Sequence, residues 1–243
     1  MIKSLIFGLV QGLTEFLPVS SSGHLFFLQK LFSVEEQLLP VFVLLHLATL
    51  CSVLVFFFQD IRKALKNKKI VSAVAVATLF TVIPAFAFDR LLGVFMTHKY
   101  MICFGYLVTS VLLLKIGKGG NRTMEELSLK ESCCLGLVQA LAVVPGISRS
   151  GITISALLKK GLNKQAAFTF SFFLSLPVIL CAFIYELKDF DPVFSLASVL
   201  SGFIVAFLSG LLALKMLKKY LGTEKLYRFG YYCLVLAGLV LFF

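Results

Sequence analysis

Two stretches of this chain are built alike, and each interrupts a helix within apolar surroundings. Gly8 to His24 reads GLVQGLTEFLPVSSSGH, and 128 positions later Gly136 to Ile152 reads GLVQALAVVPGISRSGI. Aligned without a gap, Gly8/Gly136, Leu9/Leu137, Val10/Val138, Gln11/Gln139, Leu13/Leu141, Ser20/Ser148, Ser22/Ser150 and Gly23/Gly151 are identical. Pro18 and Pro145 fall one position out of step. Each copy is a short apolar segment, a proline that cannot continue a helix, a Ser/Gly-rich turn and renewed apolar sequence. In a bilayer such a break is tolerated only where it is buried in protein or lines a wet cavity. The rest of the chain is therefore expected to hold the two breaks together.

A bilayer is the solvent this composition fits, with 59% hydrophobic and 14% charged residues and a mean hydropathy of +0.98. Apolar runs near the roughly 20 residues that cross a hydrocarbon core predict six spans. They lie at about 38–58, 70–92, 101–117, 166–185, 195–214 and 229–243. The N-terminal run after Lys3 continues into the first repeat copy, so it reads as mature sequence rather than a leader. The six cysteines have neither metal-ligand nor disulfide spacing and read as small buried hydrophobes.

The excess of 23 basic over 12 acidic residues does not point to nucleic acid, because no soluble basic domain exists to bind it. Seventeen of the basic residues fall in or at the edge of the connections 59–69, 118–131, 159–165 and 215–228. The opposite connections hold only Lys3, Lys30, Arg90, Lys99 and Lys188, with Arg149 left inside a motif. The basic loops are therefore expected in the cytosol. Residues 1–37 then begin and end outside and 131–165 begin and end inside, so the two motif segments are re-entrant hairpins from opposite faces. The spans follow the same 128-residue offset. The expected fold is all-α and integral to the membrane: an inverted-topology repeat of about six transmembrane helices plus two re-entrant helical hairpins. It forms one domain over 1–243, with repeat 1 at about 1–117, a linker at about 118–130 and repeat 2 at about 131–243.

Chemistry concentrates at the breaks. Gln11 and Glu15 are four apart on one helical face, and a carboxylate in an apolar segment is costly enough to suggest function. Ser20, Ser21, Ser22 and Gly23 form a donor-rich turn suited to an anion, and His24 lies three residues from Ser21, within reach if the turn is helical. In the second copy Arg149 is a permanent cation with a fork that suits phosphate or carboxylate, and its structural alternative is an ion pair with Glu15. Ser21 and Arg149 share one slot of the repeat, whereas Glu15 and His24 face Val143 and Ile152. A two-fold axis would thus set one half's carboxylate, hydroxyl and imidazole beside the other half's cation, a constellation suited to phosphoryl transfer. His46 and His98 lack such company and read as structural or interfacial.

GLTEFLPVSSSGH and PGISRSGIT resemble the two signature motifs of the undecaprenyl-diphosphate phosphatases, the bacitracin-resistance proteins. The first motif is matched by Gln11, Glu15, Ser20, Ser21, Gly23 and His24, with Gln11 standing where many members carry Glu. The second is matched by Pro145, Gly146, Ser148, Arg149, Ser150 and Thr153. The resemblance implies removal of one phosphate from a C55 isoprenoid diphosphate in the bacterial cytoplasmic (inner) membrane, at a site reached from the outer face. It also implies a divalent cation, Mg²⁺ or Ca²⁺, held by Glu15 with Gln11. The expected catalytic set is Ser21, His24, Glu15 and Arg149, with Ser21 as nucleophile and His24 as base; His24 or a water as nucleophile stays open. Gln11, Ser20, Ser22, Ser148, Ser150, Thr153 and Gly146 are expected to bind substrate. The partners are the polyprenyl diphosphate lipid and the membrane, with a homodimer left open. The many phenylalanines, such as the run Phe56–Phe58, offer a lining for the lipid's path or simple lipid-facing filler. On architecture alone the rival is an inverted-repeat transporter or flippase for an anionic solute or polyprenyl phosphate.

Overall fold

The computed structural model of the chain describes residues 1–33, 39–96, 98–186 and 196–242. Lys188, counted above among the outer cations, and positions 38, 195 and 243 at the edges of three predicted spans lie outside the described residues. Among the described residues the secondary structure is helical, apart from one isolated bridge between Arg122 and Leu162.

The first motif forms α1 (Ile2–Phe16) and α2 (Ser21–Leu31). Leu17, just before Pro18, is extended and ends α1, and Ser20, at φ +64°, caps α2 by accepting from the Gly23 N–H. Four helices follow: α3 (Leu39–Phe56), α4 (Phe58–Ala64), α5 (Lys68–Met96) and α6 (Lys99–Leu114). The second motif forms α7 (Leu129–Ala140) and α8 (Arg149–Lys159), separated by a 3₁₀ turn at Leu141–Val143 and by Gly146 at φ +91°. Ser148 caps α8 by accepting from the Gly151 N–H, the same slots of the repeat as Ser20 and Gly23. The chain continues as α9 (Lys164–Glu186), α10 (Leu196–Gly222) and α11 (Tyr227–Val240).

Five of the six predicted spans each fall on one helix, whereas 38–58 covers α3 and runs through the bend at Phe57 into the first residue of α4. Among the described residues three helices are long and apolar enough to cross a membrane unaided: α5 over Lys68–Phe88, α9 and α10. The α3–α4 pair, bent by 76°, makes a fourth if it acts as one span. Helices α6 and α11 are apolar but have only 16 and 14 residues, about 24 and 21 Å at 1.5 Å per residue.

Small residues let the motif arms approach their neighbours closely, which is what drives helix association where lipid is as apolar as the side chains. Helix α1 crosses α10 so tightly that a Cβ on Gly8 would lie 2.3 Å from the Gly202 carbonyl oxygen. Helix α7 crosses α5 in the same way, with 2.3 Å from a Gly136 Cβ to the Ala77 carbonyl oxygen. At both crossings a hydroxyl donates to the glycine's carbonyl: Ser209 to Gly8 at 3.5 Å and Thr81 to Gly136 at 3.1 Å. Helices α6 and α11 pack on each other and seat the two turns. Gly105 leaves room for the Pro145–Gly146 turn, and Cys233 Sγ reaches the Pro18 carbonyl at 3.7 Å.

Phe57 is 1% exposed and packs with Phe168, Phe172 and Phe173 at the centre of the largest apolar cluster, whereas Phe58 is 58% exposed. The run Phe56–Phe58 is thus half core and half periphery rather than the lining of one path. The cysteines also differ from expectation: Cys233 alone is buried and Cys134 is exposed, as fits side chains packed on the outside of a bundle.

The linker is tied down at one point. Arg122 grips both oxygens of Glu131 at 2.9 and 3.0 Å and donates to the carbonyls of Lys160 and Glu126. The backbone N–H groups of Gly120 and Arg122 donate to Leu162 and Gly161. The Arg122 guanidinium and the Ser128 N–H pull the Glu131 carboxyl from 4.5 down to about 2. A depressed carboxyl stabilises above its unfolded value and loses that contribution as pH falls through the folded one. In hydrogen exchange, protection of the amides at 120 and 122 should therefore hold from neutral pH down to 4.5 and fade toward about 2. Arg122→Ala should abolish that protection already at neutral pH; unchanged exchange would mean the backbone contacts suffice.

Candidate active site

Glu15 stands at the C-terminal end of α1 and is 9% exposed. Arg149, the first residue of α8, donates from Nη2 to Glu15 Oε1 at 2.6 Å. Ser21, the first residue of α2, donates from Oγ to Glu15 Oε2 at 2.7 Å. Gln11 Nε2 reaches the same oxygen at 3.1 Å, and His46 Nε2 lies 3.5 Å from it. One carboxylate thus joins both broken helices. The ion pair that the sequence offered as Arg149's structural alternative is formed, and it is also what places Arg149 beside Ser21.

A buried ion pair holds only if further hydrogen bonds satisfy its remaining atoms. Glu15 has them, from Ser21 and Gln11, whereas Arg149 does not. Its Nη1 is buried without a hydrogen-bond partner, and its guanidinium lies 5.8 Å from the centre of the Phe172 ring. Gln11, fully buried, leaves Oε1 without a partner. A cationic donor and an amide oxygen, each buried without a hydrogen-bond partner, thus flank one carboxylate.

His24 faces another way. Its Nδ1 lies 2.7 Å from the Ser20 carbonyl oxygen, which only accepts, so Nδ1 carries the proton in the neutral ring. Nε2 then accepts from the Tyr232 hydroxyl at 2.7 Å, and the two rings lie 13° from parallel. The Tyr106 hydroxyl stands 3.3 Å from Nδ1. The expected meeting of Ser21 with His24 is replaced by Ser21 with Glu15, because α2 begins at Ser21 and turns that hydroxyl back toward α1.

The other predicted residues support the turns. Ser20 Oγ accepts from the Gly146 N–H at 3.1 Å, tying one break to the other, and lies 3.1 Å from Ser22 Oγ. Ser148 and Ser150 form the equivalent pair at 3.3 Å, and Ser150 donates to the Leu17 carbonyl. Thr153 Oγ1 lies 2.6 Å from Ser171 Oγ of α9 and 2.8 Å from the Arg149 carbonyl oxygen, so it braces the first turn of α8 rather than facing Glu15 directly. Thr109 of α6 accepts from the Ser148 N–H and donates to the Gly146 carbonyl, fixing the second turn.

Three participants went unread in the sequence, Tyr106, Thr109 and Tyr232, and a fourth, His46, reads there only as structural or interfacial. Only His46 carried a signal, as an ionisable residue inside an apolar span. Its Nδ1 is 2.7 Å from the Phe42 carbonyl, which turns Nε2 toward Glu15, so His46 has the company that its reading as structural or interfacial denied it.

Among the described residues no group of three or more His, Cys, Asp or Glu side chains could cage a metal. One carboxylate beside a free amide oxygen suits a hard cation that completes its shell with phosphate oxygens and water, as Mg²⁺ does.

A family model described as "Bacitracin resistance protein BacA" matches residues 4–239. The chain belongs to that family. Relatives named undecaprenyl-diphosphatase include those of Alkaliphilus metalliredigens, 37% identical over 99% of this chain and 98% of the relative. That of Methanobrevibacter smithii is 38% identical over 100% and 96%, and that of Thermosipho melanesiensis 40% over 96% and 95%. Both stretches that resemble the bacitracin-resistance motifs contribute to the cluster on Glu15, one giving Gln11, Glu15 and Ser21 and the other Arg149.

Proposed function

We propose that this chain hydrolyses undecaprenyl diphosphate to undecaprenyl phosphate and inorganic phosphate, which recycles the lipid carrier for cell-wall synthesis and confers bacitracin resistance. The substrate follows from the relatives' names. The chemistry rests on one observation: Arg149 Nη2, the two oxygens of Glu15 and Ser21 Oγ form an unbroken chain of contacts, with Arg149 Nη1 left free.

In this reading Arg149 Nη1 takes a phosphate oxygen while Nη2 stays on Glu15. Ser21 Oγ attacks the terminal phosphorus, its proton passes to Glu15 Oε2, and the bridging P–O bond breaks to release the lipid monophosphate. Protonating Glu15 removes the charge that neutralised Arg149, so the cation is unmasked as charge develops on the phosphoryl oxygens. His24 Nε2, exchanging its Tyr232 hydrogen bond for water, then takes a proton from the water that attacks the phosphoserine phosphorus; as the Ser21 Oγ–P bond breaks, Glu15 returns its proton to Oγ and inorganic phosphate leaves. Gln11 Oε1 and Glu15 would hold Mg²⁺ or Ca²⁺, which supplies charge neutralisation at the phosphate oxygens. Ser20, Ser22, Ser148, Ser150, Thr153 and Gly146 contribute by shaping the two turns and their N–H groups.

The architecture belongs to the same reading: an inverted repeat of about six spans and two re-entrant hairpins, forming one domain. Equivalent pairs support it, including Ser20 with Ser148, Thr81 with Ser209 and Gly8 with Gly136, each 128 residues apart. The basic loops lie on the cytosolic side of the inner membrane and the site opens outward.

Phosphate release from undecaprenyl diphosphate in detergent, with no sealed compartment, tests the enzyme against a transporter or flippase. Turnover should require divalent cation and stop in Ser21→Ala. Quenching in acid should trap an acid-stable phosphoserine at residue 21. An acid-labile adduct would move the nucleophile to His24, and none at all would favour direct attack by water.

A further inference from the structure

Nine residues along α8 from Arg149, about 14 Å at 1.5 Å per residue, Leu158 lines a cavity of about 180 Å³. Three connections converge there: the start of the linker, the α8–α9 turn and the α10–α11 turn. Its floor includes Leu158, Leu221 and Leu226, all buried. Its polar side carries Lys118, Lys164 and Glu224. Lys164 pairs with Glu224 at 3.1 Å, while Lys118 forms no ion pair among the described residues. Glu224 has a φ of +58°, a left-handed backbone that non-glycine residues seldom adopt, in the turn that brings its carboxylate to Lys164.

We propose that this cavity binds the phosphate headgroup of an anionic phospholipid, with Lys118 and Lys164 on the phosphate and the leucines against the first methylene groups of the lipid. Charge and apolarity lining one cavity suit an amphiphile, since a free hydrated phosphate gains nothing from leucines. The cavity lies where membrane helices end in basic loops, the depth at which headgroups sit. The Lys164–Glu224 pair is half exposed and hence weak, so an arriving phosphate can take Lys164 from it. None of these residues belongs to the proposed catalytic site; the orientation proposed above adds only that the lipid would come from the cytosolic leaflet.

The test is native mass spectrometry of the detergent-solubilised protein with phosphatidylglycerol or phosphatidylcholine. The wild type should retain one phosphatidylglycerol in preference to phosphatidylcholine. Lys118→Gln with Lys164→Gln should weaken that retention at least about tenfold, from roughly fivefold per interfacial lysine. Glu224→Gln should strengthen it, which keeps the test decisive if the double variant is poorly folded. Equal retention by wild type and the glutamine variants would overturn the proposal. So would displacement of the lipid by millimolar inorganic phosphate, which would make this a free-anion site. Displacement by equimolar polyprenyl phosphate would also overturn it, by making it a product site. Because phosphate release is read separately, failure here leaves the catalytic reading standing, and the converse holds too.

Discussion

Replacing Arg149 by lysine is expected to lower kcat/KM for phosphate release at least about 100-fold while the protein stays folded. Lysine keeps the positive charge and can still approach Glu15, so the link between the broken helices survives. What it loses is the second nitrogen. In the wild type Nη2 is committed to Glu15 at 2.6 Å and Nη1 is free for a phosphate oxygen. A single ammonium can serve either partner but has no rigid fork to serve both. The loss should fall mainly on kcat, because the second contact matters most as charge builds on the transferring phosphoryl group. Arg149→Ala is the poorer experiment: it leaves a buried carboxylate uncompensated, a defect of about 3–5 kcal/mol, and confounds folding with catalysis. Steady-state kinetics in detergent, paired with a melting curve, makes the distinction. Near-wild-type turnover in Arg149→Lys would remove the clamp from the mechanism.

Much of this arrangement is written locally. Pro18 and Pro145 announce the breaks, and Ser20 and Ser148 three residues before Gly23 and Gly151 announce the caps. The shared slot of Ser21 and Arg149 anticipates their meeting, although through Glu15 rather than by direct contact. What the sequence hides comes from other helices. Tyr106, Thr109 and Tyr232 are ordinary residues for apolar spans, and their importance lies in which face of α6 or α11 points inward. Spacing misled in one place: Ser21 and His24, three apart, suggested a hydroxyl–imidazole pair. The first residue of a helix instead answers to the segment before it, so Ser21 turns to Glu15 while His24 turns to Tyr232.

The two equivalent glycines should give unequal functional results from similar structural damage. Gly8→Ala puts a methyl group 2.3 Å from the Gly202 carbonyl oxygen, and Gly136→Ala does the same against Ala77. Backbone cannot yield as a flexible side chain does, so each crossing must open, at a cost of about 1–3 kcal/mol. Gly8, Gln11 and Glu15 lie at i, i+3 and i+7, one stripe of α1, so moving α1 off α10 moves the carboxylate itself. A displacement near 1 Å at a reacting group costs about 100-fold in rate, and Gly8→Ala should lose roughly that much. On α7 the displacement is absorbed before it reaches Arg149. The helix ends at Ala140, a 3₁₀ turn follows, and Thr109 and Gly105 hold the Pro145–Gly146 turn against α6. Gly136→Ala should therefore melt earlier, as Gly8→Ala does, yet keep turnover within about tenfold of wild type. Melting temperature and kcat/KM measured on both variants decide it: equal losses of activity would mean that the second turn transmits strain as readily as the first arm, and that α6 does not anchor Arg149 independently of α7.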